Sequence, residues 1–134
     1  EKYFTEVISE LFELKKPDQL LFSFLENEIC IGYGGLVRIN WVDKNAEISF
    51  IMDSARERNE FQKIWSIYLL LIEQIAFKEI NLHKIYTYAF DLRPHLYEIL
   101  TKHDYYEEAR LKEHCNFSNN FIDVVIHSKL NKYE

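Results

Sequence analysis

Ala46-Glu-Ile-Ser-Phe-Ile-Met-Asp53, a long apolar-striped segment from about Arg58 to Glu79, and Lys84-Ile-Tyr-Thr-Tyr-Ala-Phe90 together decide the fold. The two outer pieces are short, β-branched and aromatic, which predicts strands. The middle piece places Phe61, Ile64, Trp65, Tyr68, Leu71, Ile72, Ile75 and Ala76 at helical spacing on one face. Leu69, Leu70 and Phe77 widen the stripe and predict a helix buried around much of its circumference. A strand–helix–strand passage of this kind needs a right-handed crossover.

Upstream, Leu20 to Glu26 reads as a strand stopped by Asn27-Glu28, and Ile29 to Val42 as a longer one. Gly32, Gly34 and Gly35 are the protein's only glycines and sit inside that second strand, which predicts a bulge or a close backbone approach. Asp43-Lys44-Asn45 reads as a hairpin turn into residues 46–52. Earlier still, Phe4, Val7, Ile8, Leu11 and Phe12 predict a helix over residues 2–14, ended by Lys15-Lys16-Pro17-Asp18. Downstream come a short helix from Pro94 to Lys102, a strand from Asp104 to Lys112, a turn over Asn116–Asn120 and a last strand from Phe121 to Lys129. The order α-β-β-β-α-β-α-β-β predicts an α/β (α+β) fold with a mixed, mostly antiparallel central sheet flanked by helices. No linker or repeat divides the chain, so residues 1–134 are expected to form one domain.

Composition narrows the function. With 134 residues, 48% hydrophobic and 16% aromatic, a sizeable core is feasible and disorder is not expected. The net charge of −6 and the lack of a Lys/Arg-rich block argue against nucleic acid as a partner. Apolar runs such as Ile67 to Ile72 fall far short of the ~20 residues of a membrane-spanning helix. Cys30 and Cys115 lack C-x-x-C spacing and read as reduced thiols of a cytoplasmic protein. The five histidines, at positions 83, 95, 103, 114 and 127, show no metal-ligand spacing, so no metal is expected.

With the element order, three stretches carry a family resemblance: Ile31-Gly-Tyr-Gly-Gly-Leu-Val37, residues 46–53, and His83-Lys-Ile-Tyr-Thr-Tyr-Ala-Phe90. Tyr106-Glu-Glu-Ala-Arg-Leu-Lys-Glu113 and Phe121-Ile-Asp-Val-Val125 look like the same family's closing hairpin. The chain resembles the GNAT superfamily of N-acetyltransferases, closest to the branch that acetylates protein N-termini and amino-sugar nucleotides. The resemblance spans nearly everything from about residue 20 and implies a domain lacking the family's first strand and helix. It implies acetyl-CoA as cosubstrate and, as acceptor, the primary amine of a small molecule, an amino sugar or a protein N-terminus.

The family's cosubstrate loop, Q/R-x-x-G-x-G/A, maps onto Arg56-Glu-Arg-Asn59-Glu-Phe61, with Asn59 and Phe61 in place of small residues. The resemblance therefore implies phosphate contacts from Arg56, Arg58, Asn59, Glu60 and Phe61, and thioester contacts from the backbone of Phe50, Ile51 and Met52. The spacing of Phe61 to Ile64, Trp65 and Tyr68 turns its ring toward the core. The tyrosine that the family often uses to protonate the departing thiolate maps onto Leu100, leaving Tyr97 as its substitute, and Arg93 stands near the position where the family often has Asn. Glu47 shares a strand face with Ser49 and Ile51 and is the leading general-base candidate; Glu26 and Asp53 are the weaker alternatives. Two functions stay open at this point, an N-acetyltransferase and a GNAT-fold binding or regulatory module that has lost catalysis. A short chain so rich in aromatics also makes a homodimer an expectation.

Overall fold

The computed structural model describes residues 16–133, with backbone alone for residues 57–59; the helix expected over residues 2–14 lies outside them. Two tight turns set the registers at the ends of the sheet. Asn27 and Glu28 both take left-handed backbone, as do Ser118 and Asn119. That pairing of positive φ values suits the right-handed twist of a two-residue hairpin. The first joins β1 (Leu20–Glu26) to β2 (Ile29–Asn40), and the second joins β5 (Tyr106–Phe117) to β6 (Asn120–Leu130). The closing hairpin is thus longer, and its turn tighter, than the residues predict. β3 (Asn45–Met52) follows β2 through a turn at Trp41–Lys44, and β4 is Lys84–Phe90.

The six described strands run in the order β1-β2-β3-β4-β6-β5. Every neighbouring pair is antiparallel except β3 and β4, joined in parallel through helix α1 (Ser54–Glu73). This is the mixed, mostly antiparallel sheet that the element order implies. α1 continues as a π-helical turn over Gln74–Glu79, and α2 covers Pro94–Lys102. Both helices lie on one face of the sheet: Glu73 of α1 bonds Lys129, while Tyr97 of α2 stacks on His127, two residues earlier on β6.

α1 is buried along one stripe: Ile64, Trp65, Tyr68, Leu69, Ile72 and Glu73 face the sheet, as do Ala76 and Phe77 of the π-turn. Leu70 and Leu71 are exposed, so the helix is covered on one side rather than around most of its circumference. The glycines of β2 serve close approach. A side chain at Gly35, whose φ is +154°, would meet the Leu20 carbonyl oxygen at 1.9 Å, and one at Gly32 would strike the Phe50 ring.

Lys129 and Glu73 form an ion pair at 3.0 Å with both side chains under a tenth exposed, and Lys129 also donates to the His103 carbonyl at 2.7 Å. Removing one partner strands a buried charge. Lys129→Met alone should therefore cost about 3–5 kcal/mol in a denaturant melt, whereas Glu73→Leu combined with Lys129→Met should recover most of that loss. Equal losses in the single and double variants would refute this account of the pair.

Candidate active site

β3 and β4 pair only from Asn45–Lys84 to Glu47–Tyr86. Beyond that point the edge of β3 from Ile48 to Met52 that faces β4 has no strand partner, although each strand continues for several residues. Unpaired backbone on a strand edge is a template for an extended ligand. The gap is a cleft of about 420 Å³ whose lining includes Glu47, Phe50, Trp65, Tyr88, Arg93 and Leu96. A cavity of about 240 Å³ shares Phe50, Trp65 and Arg93 with it and reaches Ser54 at the start of α1. Another, of about 330 Å³, shares Glu47 and Tyr88 and is walled by Arg38, Asn45, Lys84 and Tyr86. Tyr86 and Tyr88 alternate with Ile85 and Thr87 along β4, so this last cavity lies on the face opposite the helices.

Glu47, like Tyr88, lines cavities on both faces of the sheet. Its side chain is 16% exposed and lies 3.5 Å from the Arg38 Nε. Burial raises its pKa, and the Arg38 charge takes back part of that rise. A carboxylate lifted toward neutrality makes a better proton acceptor for an amine. Arg38 reaches it because the β2–β3 register shifts between Val37 and Asn40, and Arg38 itself takes left-handed backbone with φ +51°. Bulges of this kind re-aim side chains near active sites.

The floor of the cleft is aromatic. Phe50 stacks on Tyr68 at 3.9 Å and meets Trp65 edge-on at 5.2 Å. The buried Tyr68 hydroxyl donates to the Ser49 carbonyl at 2.5 Å, and burial holds that phenol protonated by raising its pKa.

The stretch expected to be a phosphate loop is helix. α1 starts at Ser54, about four residues ahead of the expected start, because Asp53 caps it by accepting from the Ala55 N–H at 3.0 Å. Residues 58–61 therefore lie inside α1, where N–H groups bond carbonyls one turn back, and the unpaired donors sit at the start of the helix. The side chains of Arg58 and Asn59 lie outside the described residues. Arg56 spends its guanidinium on Glu26 at 2.9 Å and Glu60 at 3.3 Å. Phe61 is half-buried against the core, as its spacing implies, with its ring beside Trp65 and His95. Phe50 lines both the cleft and the cavity beside Ser54, and Ile51 and Met52 line the latter.

Of the two catalytic candidates, Glu47 lines the cleft and Tyr97 does not. The Tyr97 hydroxyl donates to Asp91 at 2.8 Å, its ring stacks on His127, and burial together with Asp91 raises its pKa. Leu100 is fully buried in the core. Asp104, at the glycine of the family's Gly-Phe pair, takes the left-handed backbone a glycine would, with φ +65°. The sequence by itself does not single out Tyr86, Tyr88, Arg38, Trp65 or Lys84 as site residues. Alternation along β4 was a usable signal for the tyrosines, whereas the others needed the cavity walls. Among the described residues no three His, Cys, Asp or Glu side chains gather into a metal site, and no helix is long and apolar enough to cross a membrane.

An open strand edge beside a helix start suits a long, thin acyl carrier, and a desolvated carboxylate at its inner end suits an amine acceptor. The sequence profile of the acetyltransferase (GNAT) domain matches residues 1–126, and the chain belongs to that family. It is an N-acetyltransferase with acetyl-CoA as its cosubstrate. Solved structures of a spermidine N-acetyltransferase from Vibrio cholerae share the fold. Its dodecameric form in an intermediate state is 22% identical with a TM-score of 0.79, and covers 96% of this chain and 75% of its own. Its complex with CoA and spermine is 21% identical with a TM-score of 0.78 and the same coverage.

The open β3 edge, the cleft and the cavity beside Ser54 leave room for an extended cosubstrate, and Glu26 and Glu60 hold the Arg56 guanidinium that the family resemblance assigns to its phosphates. Replacing both by Gln should tighten coenzyme A binding about two- to fivefold by calorimetry, the scale of a surface charge contact. An unchanged dissociation constant would show that Arg56 does not face the phosphates.

Proposed function

We propose that this enzyme acetylates the primary amine of a small molecule, with Glu47 accepting the amine's proton. The observation that carries the reading is that Glu47 lines both the cleft and the cavity on the opposite face. A donor in the cleft and an acceptor in that cavity would meet at its carboxylate. Acetyl-CoA supplies an activated acetyl thioester. The chain's part is to hold the carbonyl against the backbone of Phe50 to Met52, to keep water off with Trp65 and Phe50, and to take the proton at Glu47. Arg93 lines both the cleft and the cavity beside Ser54, which supports a role toward the phosphates. A cavity of about 330 Å³ favours a small acceptor over a protein N-terminus. Spermidine N-acetyltransferases among the structural neighbours support a small-molecule amine.

The free thiols of Cys30 and Cys115 support a reducing, cytoplasmic setting. Exposed Leu25, Ile29, Phe117 and Phe121 support a homodimer, which sedimentation at micromolar concentration would reveal.

Thiol release from acetyl-CoA across a panel of amines tests the reading, and release no faster with any amine than with water would sink it. Glu47→Gln should lower kcat by roughly 10²–10⁴-fold with folding intact, as for other general acid–base groups. Turnover within about twofold of the parent would remove Glu47 from the mechanism.

The acid limb of the rate profile carries a further expectation. Glu47 works as the carboxylate, so kcat/KM should rise with pH through its raised pKa, above the ordinary carboxylate range. Arg38→Ala removes the lowering charge and should move that limb to higher pH. A limb that stays put or moves down would show that another group controls it.

A further inference from the structure

We propose that the acceptor is an amine that also carries an anionic group, and that Arg38 is the residue that selects it. This rests on Glu47 meeting the amine. The cavity on the face opposite the helices holds four charged side chains, arranged as two pairs. Lys84 bonds Glu108, and the Arg38 Nε lies 3.5 Å from Glu47. When an amine takes Glu47, the Arg38–Glu47 pair is broken and the Lys84–Glu108 pair is not. Arg38 is then the cavity's uncompensated charge. A polyamine would bring further positive charge beside a guanidinium that has just lost its partner. An acceptor with a carboxylate or phosphate near its amine replaces the lost partner, and the pair reforms through the substrate.

The geometry of Arg38 supports that role. Its side chain is 77% exposed, so the guanidinium can turn toward an anion at low cost, and its contact with Glu47 is made through Nε. The planar fork of an arginine matches a carboxylate or phosphate with two parallel donors. Left-handed backbone at a non-glycine residue within a strand is unusual and clusters at functional sites. Here it accompanies the register shift that brings Arg38 to the cavity wall. Tyr86 and Tyr88 line the wall between these charges and offer flat surfaces to the body of an acceptor. The protein's net charge of −6 draws cations from a distance but does not act inside this cavity, where the balance is two cations to two anions.

Matched acceptors test the proposal. β-Alanine against its amide, glucosamine 6-phosphate against glucosamine, and spermidine would be compared in kcat/KM with acetyl-CoA, and in binding by calorimetry with coenzyme A present. The anionic member of at least one pair should be favoured about tenfold or more, the scale of a charge-assisted hydrogen bond. Which pair responds separates a carboxylate from a phosphate. In Arg38→Ala that preference should fall about tenfold or more, mainly through KM, and Arg38→Lys should keep only part of it. The ratio within a pair cancels any effect of the substitution on Glu47. Spermidine or the neutral members preferred by the parent, or a preference unchanged in Arg38→Ala, would overturn the proposal. Calorimetry separates the two readings: an anionic amine that binds through Arg38 and is never acetylated would sink the Glu47 mechanism and leave the selectivity standing.

Discussion

β3 and β4 pair in parallel over three residues each, Asn45–Glu47 with Lys84–Tyr86, and then part. A longer ladder would seal the sheet, bury both strand edges and leave no cleft. The helix side holds the strands apart with volume. Trp65 of α1 and Leu96 of α2 both border the opening, and Phe50 is wedged between Tyr68 and Trp65 beneath β3. Because the ladder stops at Glu47, that carboxylate borders both the cleft and the cavity on the opposite face. Its partial desolvation follows from this placement.

Charge is distributed unequally around these cavities. At the outer end, by the start of α1, carboxylates occupy what an anionic cosubstrate would use. Asp53 caps the helix, and Glu26 and Glu60 hold Arg56. Acid caps and i,i+4 pairs stabilise a helix start. Here the same contacts occupy the Arg56 guanidinium and the Ala55 N–H. At the inner end, a single guanidinium touches Glu47 from an exposed position. A stable helix start and a tight phosphate site make opposite demands on the same donors, and this sequence leans toward the helix.

The rest of the helix side is fastened by a few polar contacts. Lys129 ties β6 to α1 through Glu73 and to the end of α2 through the His103 carbonyl. Tyr97, Asp91 and Arg110 link α2, the end of β4 and β5, with Asp123 of β6 in the same cluster and its pKa held down to about 2 by the Glu113 N–H and by Arg110. The Tyr97 phenol belongs to this scaffold and does not line the cleft.

Periodicity alone determined the strands, both described helices and their order, because alternation and 3.6-residue spacing are local properties of the chain. The same periodicity put Phe61 against the core and Glu47 on a strand face. What it could not determine was where elements stop. The start of α1 at Ser54 depends on an Asp53 cap that competes with a loop reading of the same residues. The exposure of Leu70 and Leu71 depends on which side of α1 the sheet covers. The meeting of Arg38, Glu47, Lys84 and Tyr88 around one cavity was beyond local reading, since they come from three strands and converge only once register, bulge and the end of the β3–β4 ladder are set. Cross-strand distance is a property of tertiary packing, and the chemistry of this site lies in that distance.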